Sequence, residues 1–242
     1  MNAIQTDRLV KRYGARTAVD GLTLSIPEGQ LTALLGPNGA GKTTAIRMLC
    51  ALTPPTSGKA AVMGHDVCRE ADAVRACINV SPQETAVAPK LTVRENLVLM
   101  ARLYGADRPA AERRAEGLLA HFGLVDRAED RARQLSGGQQ RRLSIAMALI
   151  SDPQVLFLDE PTLGLDVRAR RDLWTHIRAL KGRKTVVLTT HYLEEAEALA
   201  DCIVIMNRGK LQAMGRVEDI LSQTGLPNLE EAFLQLTEEV ES

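Results

Sequence analysis

Short runs of apolar residues recur along the chain at the length of single strands. They lie at residues 31–35, 78–80, 155–158, 186–189 and 202–206. Continuous apolar runs of this length are typical of strands buried on both faces. Residues 22–26 instead alternate apolar with polar side chains, which predicts a strand with one face in water. Residues 207–210 supply a hairpin turn into a further strand at 211–214.

Helical spacing replaces these runs in the middle of the chain. Between residues 91 and 149 the strand pattern is absent, and apolar residues recur three or four positions apart. Examples are Val93, Leu97 and Met100, followed by Leu118, Leu119 and Phe122. The whole pattern therefore predicts an α/β core that is interrupted by a helical block.

The apolar run at 31–35 leads into a glycine-rich loop. Residues 36–43 read Gly-Pro-Asn-Gly-Ala-Gly-Lys-Thr, which fits the phosphate-binding pattern G-x-x-x-x-G-K-[ST] at every fixed position. Glycines let successive N–H groups turn inward around a phosphate. Lys42 supplies a positive charge to the outer phosphates, and Thr43 supplies a hydroxyl for Mg²⁺. A glycine turn that only caps a helix has no need of Lys-Thr-Thr behind it, so the loop predicts binding of a nucleoside triphosphate.

A second pattern with exposed glycine N–H groups opens a helix inside the helical block. Residues 135–139 read Leu-Ser-Gly-Gly-Gln, and Leu143, Met147 and Ile150 follow at helical spacing. Ser136 is thereby placed as an N-cap at the positive end of the helix dipole. A Gly-Gly pair alone arises about once per 200 dipeptides. The helix that begins directly behind it argues against a flexible linker and predicts a second anion site.

Two carboxylates follow the apolar run at 155–158. Asp159 and Glu160 come directly after the run, and Pro161 comes next. Open α/β sheets bind their ligands at the carboxyl ends of the strands. Adjacent strand residues point in opposite directions, so Asp159 is predicted to reach a Mg²⁺ ion and Glu160 to act as general base on the attacking water. A solvated turn is the alternative, which the phosphate loop in the same chain disfavours.

Composition narrows the class of protein. The chain has 242 residues, and 45% of them are hydrophobic, which is ample for a buried core. Thirty basic residues balance thirty acidic ones, so the basic surface of a nucleic-acid-binding protein is missing and no nucleic-acid partner is predicted. The densest basic stretch, residues 127–142, is interrupted by Glu129 and Asp130. It is interpreted mainly as a solvated helical surface.

Signals for secretion or membrane insertion are weak. The longest central apolar run, at 145–150, is far shorter than a membrane span. Residues 1–5 lack the charged-then-apolar form of a signal peptide. The four cysteines are Cys50, Cys68, Cys77 and Cys202. Their spacing fits neither a C-x-x-C motif nor a metal site, which predicts small core residues in a reducing cytoplasm.

In this combination and order, the segments resemble the nucleotide-binding subunit of an ATP-binding cassette (ABC) transporter. The resemblance covers nearly the whole chain, from Tyr13 to His191 and on toward the C-terminus. It implies an α/β P-loop NTPase core with an antiparallel β subdomain and an inserted α-helical subdomain. The implied boundaries are residues 1–83 and 151–225 for the discontinuous ATP-binding core, 84–150 for the helical subdomain that carries the signature, and 226–242 for a C-terminal helical tail.

The resemblance also names the motifs. They are the Walker A loop at 36–43, the Q-loop at Gln83, the signature at 135–139, Walker B at 155–159, the catalytic glutamate at Glu160, the D-loop at 163–166 and the switch histidine at His191. Taken singly, Tyr13 would more often be a packing residue, Gln83 a solvated loop residue and His191 a capping residue. Their positions relative to the longer motifs carry the assignment.

A site for ATP and Mg²⁺ follows from the resemblance. Catalytic roles are implied for Lys42, Glu160 and His191. Nucleotide contacts are implied for Tyr13, which would stack on adenine, and for Gly36, Pro37, Asn38, Gly39, Ala40, Gly41, Lys42, Thr43, Thr44 and Gln83. Further contacts in trans are implied for Ser136, Gly137, Gly138 and Gln139. The implied magnesium ligands are Thr43, Gln83 and Asp159.

The same resemblance implies partners. Two cassettes, as a homodimer or with a paralogue, would pair head to tail around ATP. Hydrolysis would separate them and drive a separate transmembrane permease. Such a subunit would lie at the cytoplasmic face of the inner (plasma) membrane, attached through the permease.

Two segments are similar to stand-alone cassettes that power export of drugs, lipids or polysaccharides. They are residues 94–105 and the tail at 229–236. In the tail, Leu229, Phe233 and Leu236 would form one apolar helix face, which alternatively packs on the chain's own core. An importer subunit is another possibility, as is a soluble ABC ATPase of DNA repair or the ribosome, although such proteins usually carry a coiled-coil insertion or tandem cassettes. The lack of an N-K-x-D motif disfavours a GTPase.

Overall fold

The computed structural model describes residues 1–238. The tail predicted at 226–242 extends beyond this range, and positions 239–242 lie outside the described residues. The strands are β1 (Asn2–Tyr13), β2 (Arg16–Pro27), β3 (Leu31–Leu35), β4 (Ser57–Val62), β5 (His65–Asp66), β6 (Ile78–Ser81), β7 (Val155–Asp159), β8 (Thr185–Thr190), β9 (Cys202–Asn207) and β10 (Lys210–Gly215). The helices are α1 (Lys42–Leu49), α2 (Ala71–Cys77), α3 (Val93–Leu103), α4 (Arg108–His121), α5 (Gly137–Leu149), α6 (Val167–Arg178), α7 (Leu193–Leu199), α8 (Val217–Thr224) and α9 (Leu229–Thr237).

The larger of two sheets is parallel except at one edge. Its strand order is β10-β9-β3-β8-β7-β6, and the five apolar runs of the sequence all lie in it. Leu31, Ala33 and Leu35 of β3 pack into one hydrophobic core and Leu34 into another. Both faces of the strand are therefore covered, which is why its sequence shows no polar alternation. The predicted hairpin is confirmed, since β10 pairs antiparallel with β9.

The two cores lie on opposite faces of this sheet. Helices α3 to α9 fill the core on one face, and α1 together with the smaller sheet fills the other. Phe122 belongs to the first core and Phe157 to the second, and both are fully buried. The predicted helical block is confirmed at α3 to α5, and it shares its core with the parallel sheet.

The smaller sheet is antiparallel, with the strand order β2-β1-β4-β5. The alternation at 22–26 predicts only part of β2, and β1 has no clear signal in the sequence. A register shift between Thr6 and Leu9, with Arg8 at φ +45°, interrupts β1. Such a bulge breaks the period of two on which strand prediction depends. The antiparallel subdomain implied by the family resemblance is nevertheless present.

Ser136 caps α5 as predicted. Its Oγ accepts a hydrogen bond from the N–H of Gln139 at 3.3 Å, and Oε1 of Gln139 accepts one from the N–H of Ser136 at 2.9 Å. This reciprocal pair is a capping box, and Thr92 and Glu95 form another at the start of α3. The signature therefore opens a well-defined helix.

Two predictions about exposure each fail at one residue. Cys68 is exposed, whereas Cys50 and Cys202 are buried as predicted, and all the cysteines are free thiols. In the basic stretch at 127–142, Arg141 is only 3% exposed. Arg141 lies on the face of α5 that points into the protein, so the interpretation of the stretch as a solvated surface fails there.

The C-terminal helix packs on the chain's own core. Leu229 of α9 is buried, and Phe233 and Leu236 are half-buried against the core that holds the helices. The apolar face of α9 is thus covered within the chain. Among residues 1–238, we find no helix with the length and apolar character needed to cross a bilayer.

Candidate nucleotide-binding site

Four adjacent parallel strands bring the predicted site residues to one edge of the larger sheet. The Walker A loop follows β3, His191 follows β8, Asp159 and Glu160 come at the end of β7, and Gln83 follows β6. Neighbouring strands pair in register up to these ends. Residues that are far apart in sequence therefore meet at the carboxyl edge, where α/β sheets bind ligands.

A cavity of about 680 Å³ opens at this edge, a volume typical of small-molecule sites. Its lining residues are Tyr13, Arg16, Ala18, Asn38, Gly39, Ala40, Gly41, Lys42, Thr43, Thr44, Gln83, Glu160, Leu163 and His191. Tyr13 is 48% exposed at the cavity, and Nζ of Lys11 lies 5.1 Å from its ring centroid. The cavity unites most of the residues predicted to bind the nucleotide.

The ammonium of Lys42 lies inside the Walker A loop. Its Nζ donates hydrogen bonds to the carbonyls of Gly36 at 2.6 Å and Pro37 at 3.1 Å. Burial lowers the pKa of Lys42, and the nearby carboxylates of Glu160 and Asp159 oppose that shift. A phosphate would offer Lys42 charged oxygens in place of neutral carbonyls, and such charge-assisted hydrogen bonds are stronger.

Close packing requires two glycines of the Walker A loop. A Cβ on Gly36 would lie 2.3 Å from the carbonyl oxygen of Met206, and one on Gly41 would lie 2.3 Å from that of Ala18. Gly41 also has φ +100°, which L side chains rarely adopt. This tight loop ends at the N-terminus of α1, a position that favours anions. The loop therefore fits the phosphates of a nucleotide.

A hydroxyl and a carboxylate face each other beside the loop. Oγ1 of Thr43 lies 3.4 Å from both carboxylate oxygens of Asp159. Thr189 donates its hydroxyl to Oδ1 of Asp159 at 2.5 Å, which fixes the carboxylate. Mg²⁺ prefers such oxygen ligands and completes its octahedron with water and substrate phosphates. The pair of Thr43 and Asp159 therefore fits this ion.

Glu160 and His191 are neighbours in the cavity. Nδ1 of His191 lies 3.5 Å from Oε1 of Glu160, and within the described residues this buried nitrogen has no hydrogen-bond partner. The imidazole packs against the ring of Tyr192, with centroids 4.1 Å apart and the ring planes tilted by 39°. Glu160 has φ +44°, and such backbone strain in residues other than glycine clusters at functional sites.

The signature residues face a different and smaller cavity, of about 170 Å³. Its lining residues are Ser136, Gly138, Gln139, Arg142, Asp166, Arg168, Ala169 and Asp172. Gly138 is required by packing, since its Cβ would lie 2.9 Å from that of Ala169. Around Gly137, by contrast, the described chain places no atom within 4 Å of a Cβ. Packing inside the chain therefore does not explain a glycine at 137.

Comparison with known proteins decides the family. Residues 19–163, more than half of the chain, match the ABC transporter family. The chain belongs to this family. It is an ATP-hydrolysing subunit of an ABC transporter, a class of subunit that works with a membrane permease.

Relatives of this ABC subunit include exporter components. It is 47% identical over 224 residues to a daunorubicin resistance ATP-binding protein of Streptomyces coeruleorubidus, covering 92% of this chain and 71% of that protein. It is 42% identical over 220 residues to the Nod factor export ATP-binding protein I of Ralstonia nicotianae, covering 90% and 68%. A solved ATP-binding subunit of an ABC transporter superposes with a TM-score of 0.85 at 30% identity, covering 98% of this chain and 100% of that one.

The sequence predicts no role at this ABC site for two residues that contact it. Thr189 holds Asp159 and Glu160 together, because its hydroxyl donates to Asp159 and accepts the N–H of Glu160 at 3.0 Å. Arg141 reaches the same turn from α5. Helical spacing could have found Arg141, since it recurs with the buried Ile145 on one face of α5. Thr189 has no comparable signal.

A buried glutamate of this ABC subunit predicts how the stability of the fold depends on pH. Glu195 of α7 is fully buried, and Trp174 donates to its Oε1 at 3.1 Å. Burial raises the pKa of Glu195, and the Trp174 hydrogen bond offsets that shift only in part. The folded chain therefore holds this proton at pH values where the unfolded chain has lost it. The contribution of Glu195 to the free energy of unfolding is fully present below the ordinary glutamate pKa and is lost as the pH rises through its folded-state pKa.

Glu195→Gln should remove this contribution and keep an acceptor for Trp174. The free energy of unfolding, measured by urea titration from about pH 5 to about pH 8, should decline less steeply in the variant than in the wild type. Glu194→Gln changes an exposed neighbour and serves as the control, with a profile close to the wild type. Parallel profiles for wild type and Glu195→Gln would contradict the prediction.

Proposed function

We propose that this ABC subunit hydrolyses ATP in the cavity lined by the Walker A loop, Glu160 and His191, and that hydrolysis powers export. The observation that carries the proposal is the convergence of Lys42, Glu160 and His191 on one cavity. Export is supported by the relatives, of which one is named for daunorubicin resistance and another for Nod factor export. We infer a drug, a lipid or a polysaccharide as the cargo.

In the proposed reaction, water attacks the γ-phosphate in line with the leaving group. Glu160 takes the proton of that water, and Lys42 stabilises the charge on the outer phosphate oxygens. His191, whose Nδ1 is turned toward Glu160, would contact the γ-phosphate and the base together. Positioning and charge stabilisation are the main catalytic contributions in phosphoryl transfer. Tyr13, exposed at the cavity, offers its ring to adenine.

Magnesium has its own set of proposed ligands. When bound, Mg²⁺ would neutralise charge on the phosphates. Thr43 and Asp159 would hold it directly, and Thr189 would keep the Asp159 carboxylate in place. Gln83, which lies on the exposed loop after β6 and lines the cavity, would complete the set.

We infer that ATP is shared between two cassettes. The D-loop, residues 163–166, connects the two cavities, since Leu163 lines the larger and Asp166 the smaller. Leu163 is 40% exposed and Val167 is 62% exposed. Exposed apolar residues beside two ligand cavities favour burial against a second chain. The open space around Gly137 suits the approach of a nucleotide held by that chain.

An exposed apolar patch on α3 supports contact with a permease. This α3 patch consists of Leu99, Leu103 and Tyr104, which are 44%, 71% and 48% exposed. Nδ2 of Asn79 donates to the hydroxyl of Tyr104 at 3.1 Å, which ties the patch to β6. Gln83 follows the opposite end of β6, about four strand residues or roughly 13 Å from Asn79, so a partner in contact with both must span the length of this strand. We propose that the permease docks on the α3 patch and on residues 83–97.

Docking there would hold the chain at the cytoplasmic face of the inner membrane. We propose residues 84–150 as the helical subdomain, residues 1–83 and 151–225 as the ATP-binding core, and Gln83 as the hinge between them. The two parts share one hydrophobic core. Movement about the hinge is therefore proposed to be a small rotation and not a separation.

The α3 patch gives a test of the transporter role. Leu103→Asp should lower co-purification of an integral membrane protein from native membranes, because losing the burial of one leucine costs about 1.5–3 kcal/mol, or about 10- to 150-fold in affinity. ATP hydrolysis by the isolated chain should be unchanged, since Leu103 lies outside the nucleotide cavity. Quantitative mass spectrometry of the detergent-solubilised complex measures the amount of membrane protein that co-purifies.

Leu234→Asp is the matched control for this experiment. Leu234 is 52% exposed on α9, away from α3 in the chain, so its substitution should leave the membrane partner bound. Equal loss with both variants would show that the α3 patch is not the docking surface. Recovery of the wild-type chain with cytosolic or nucleic-acid partners only would instead favour a soluble ABC ATPase.

A further inference from the structure

Arg141 is a buried arginine two residues after the signature. Its guanidinium donates to the carbonyls of Pro161 and Asp159, each at 2.8 Å, and to those of Pro82 at 2.5 Å and Gln83 at 3.2 Å. All four acceptors are backbone carbonyls: Asp159 ends β7, and the other three lie in the loops that follow β7 and β6. One side chain of α5 therefore joins the Q-loop to the turn that carries Glu160.

The carbonyls of Asp159 and Pro161 flank Glu160. Glu160 has φ +44°, a left-handed conformation that is unfavourable for a residue other than glycine. The peptide group between Asp159 and Glu160 is held on both sides, since Thr189 accepts its N–H and Arg141 donates to its carbonyl. A peptide plane held on both sides fixes the direction in which the Glu160 side chain leaves the backbone.

The guanidinium suits this connection better than other side chains. Its donors form a rigid planar fork that can reach several acceptors at once. Its burial is unfavourable for a cation, and it lowers the pKa of Arg141 to about 10 although Asp159 and Glu195 attract the charge. A buried charge is costly unless it is compensated, so simple packing of α5 would be better served by an apolar residue.

We propose that Arg141 is a positioning residue, which holds the turn at Glu160 in its catalytic conformation and links that turn to the signature helix and the Q-loop. The proposal rests on the proposed role of Glu160 as the base. A change at the signature, where the second cassette would bring its nucleotide, reaches the base through the rigid α5 helix. A change at the Q-loop, next to the permease surface, reaches it through the carbonyls of Pro82 and Gln83.

The test is a double-mutant cycle on the full chain, with steady-state hydrolysis of radiolabelled ATP at varied ATP concentration as the readout, which gives kcat and KM. Arg141→Met should lower kcat by about 10²-fold, the loss expected for a misplaced catalytic group. The KM for ATP should stay within about threefold, because the substitution does not touch the Walker A loop. Arg141→Lys should fall between Arg141→Met and the wild type. In a Glu160→Gln background, Arg141→Met should lower hydrolysis by less than about threefold, because the base through which it acts is gone.

Rates are expressed per nucleotide-binding chain, so a loss of folded protein does not imitate the effect. Arg178→Lys is the matched control, because its Nη2 donates to the carbonyl of Ala198 at 2.5 Å, between α6 and α7, and kcat should remain close to the wild type. If Glu160→Gln lowers hydrolysis and Arg141→Met multiplies that loss, the positioning role is overturned and the proposed function stands. If Glu160→Gln leaves hydrolysis unchanged, the base assignment itself fails, and the positioning role fails with it.

Discussion

Glu160→Gln should lower the turnover of ATP by about 10²- to 10⁴-fold, the contribution of a positioned general base. Glutamine has the shape of glutamate but cannot accept the proton of the attacking water. The neighbouring Lys42 keeps its contacts with the Walker A loop, so ATP should still bind. A steady-state phosphate-release assay measures turnover, and titration with a fluorescent ATP analogue measures binding.

The oligomeric state of Glu160→Gln in the presence of ATP is a second readout. Since hydrolysis would separate the cassettes, Glu160→Gln chains with ATP should accumulate as dimers in size-exclusion chromatography with light scattering. Lys42→Ala provides the contrast, because it removes the cation that faces the phosphates and should weaken nucleotide binding itself. Turnover of Glu160→Gln within about threefold of the wild type would exclude Glu160 as the base.

The sequence predicts the four inner strands β3, β7, β8 and β9 of the larger sheet well because they are buried almost along their whole length. Strands such as β3 are buried on both faces, so their apolar runs stand out from the polar turns around them. β1 carries a bulge at Arg8 and so lacks a regular period. β4 is exposed over its first three residues and β5 has only two residues, so neither shows a period of two in the sequence. β4 pairs with β1, and β5 pairs with β4; no local pattern contains these contacts.

The residues of the candidate site likewise fall into those that the sequence predicts and those that it does not. Glycine geometry and charge are local properties, so the Walker A loop and the N-cap at Ser136 could be predicted from a few neighbouring residues. Arg141 and Thr189 act through contacts with residues that are distant in sequence. Arginines on a helix are usually solvated. Helical spacing could place Arg141 on the buried face with Ile145, but only the packing of α5 against the sheet shows which carbonyls it reaches.

Mixing two inactive variants should restore ATP hydrolysis if the ATP site is shared between chains. Lys42→Ala spoils the Walker A loop, and Gly137→Arg should block the signature. Gly137 suits this purpose because space for a side chain is open around it, whereas Ser136 caps α5. A mixed dimer collects both defects in one site and leaves the other intact. Equal amounts should therefore show roughly a quarter of the wild-type rate if chains pair at random and sites act independently. A site built within one chain would stay broken in every pairing.

Cross-linking between differently tagged chains decides the arrangement even if a dimer needs two working sites to turn over. One chain carries Asn38→Cys and the other Gly137→Cys, both in a background without the native cysteines and with Glu160→Gln to hold ATP. Asn38 lies in the nucleotide cavity, and Gly137 opens the signature helix. A short bifunctional thiol reagent should then join the two tags, and only when ATP is present. A chain that carries both cysteines provides the comparison. If a link forms within single chains and no product joins the two tags, the shared site is refuted. This holds whatever the mixing assay shows.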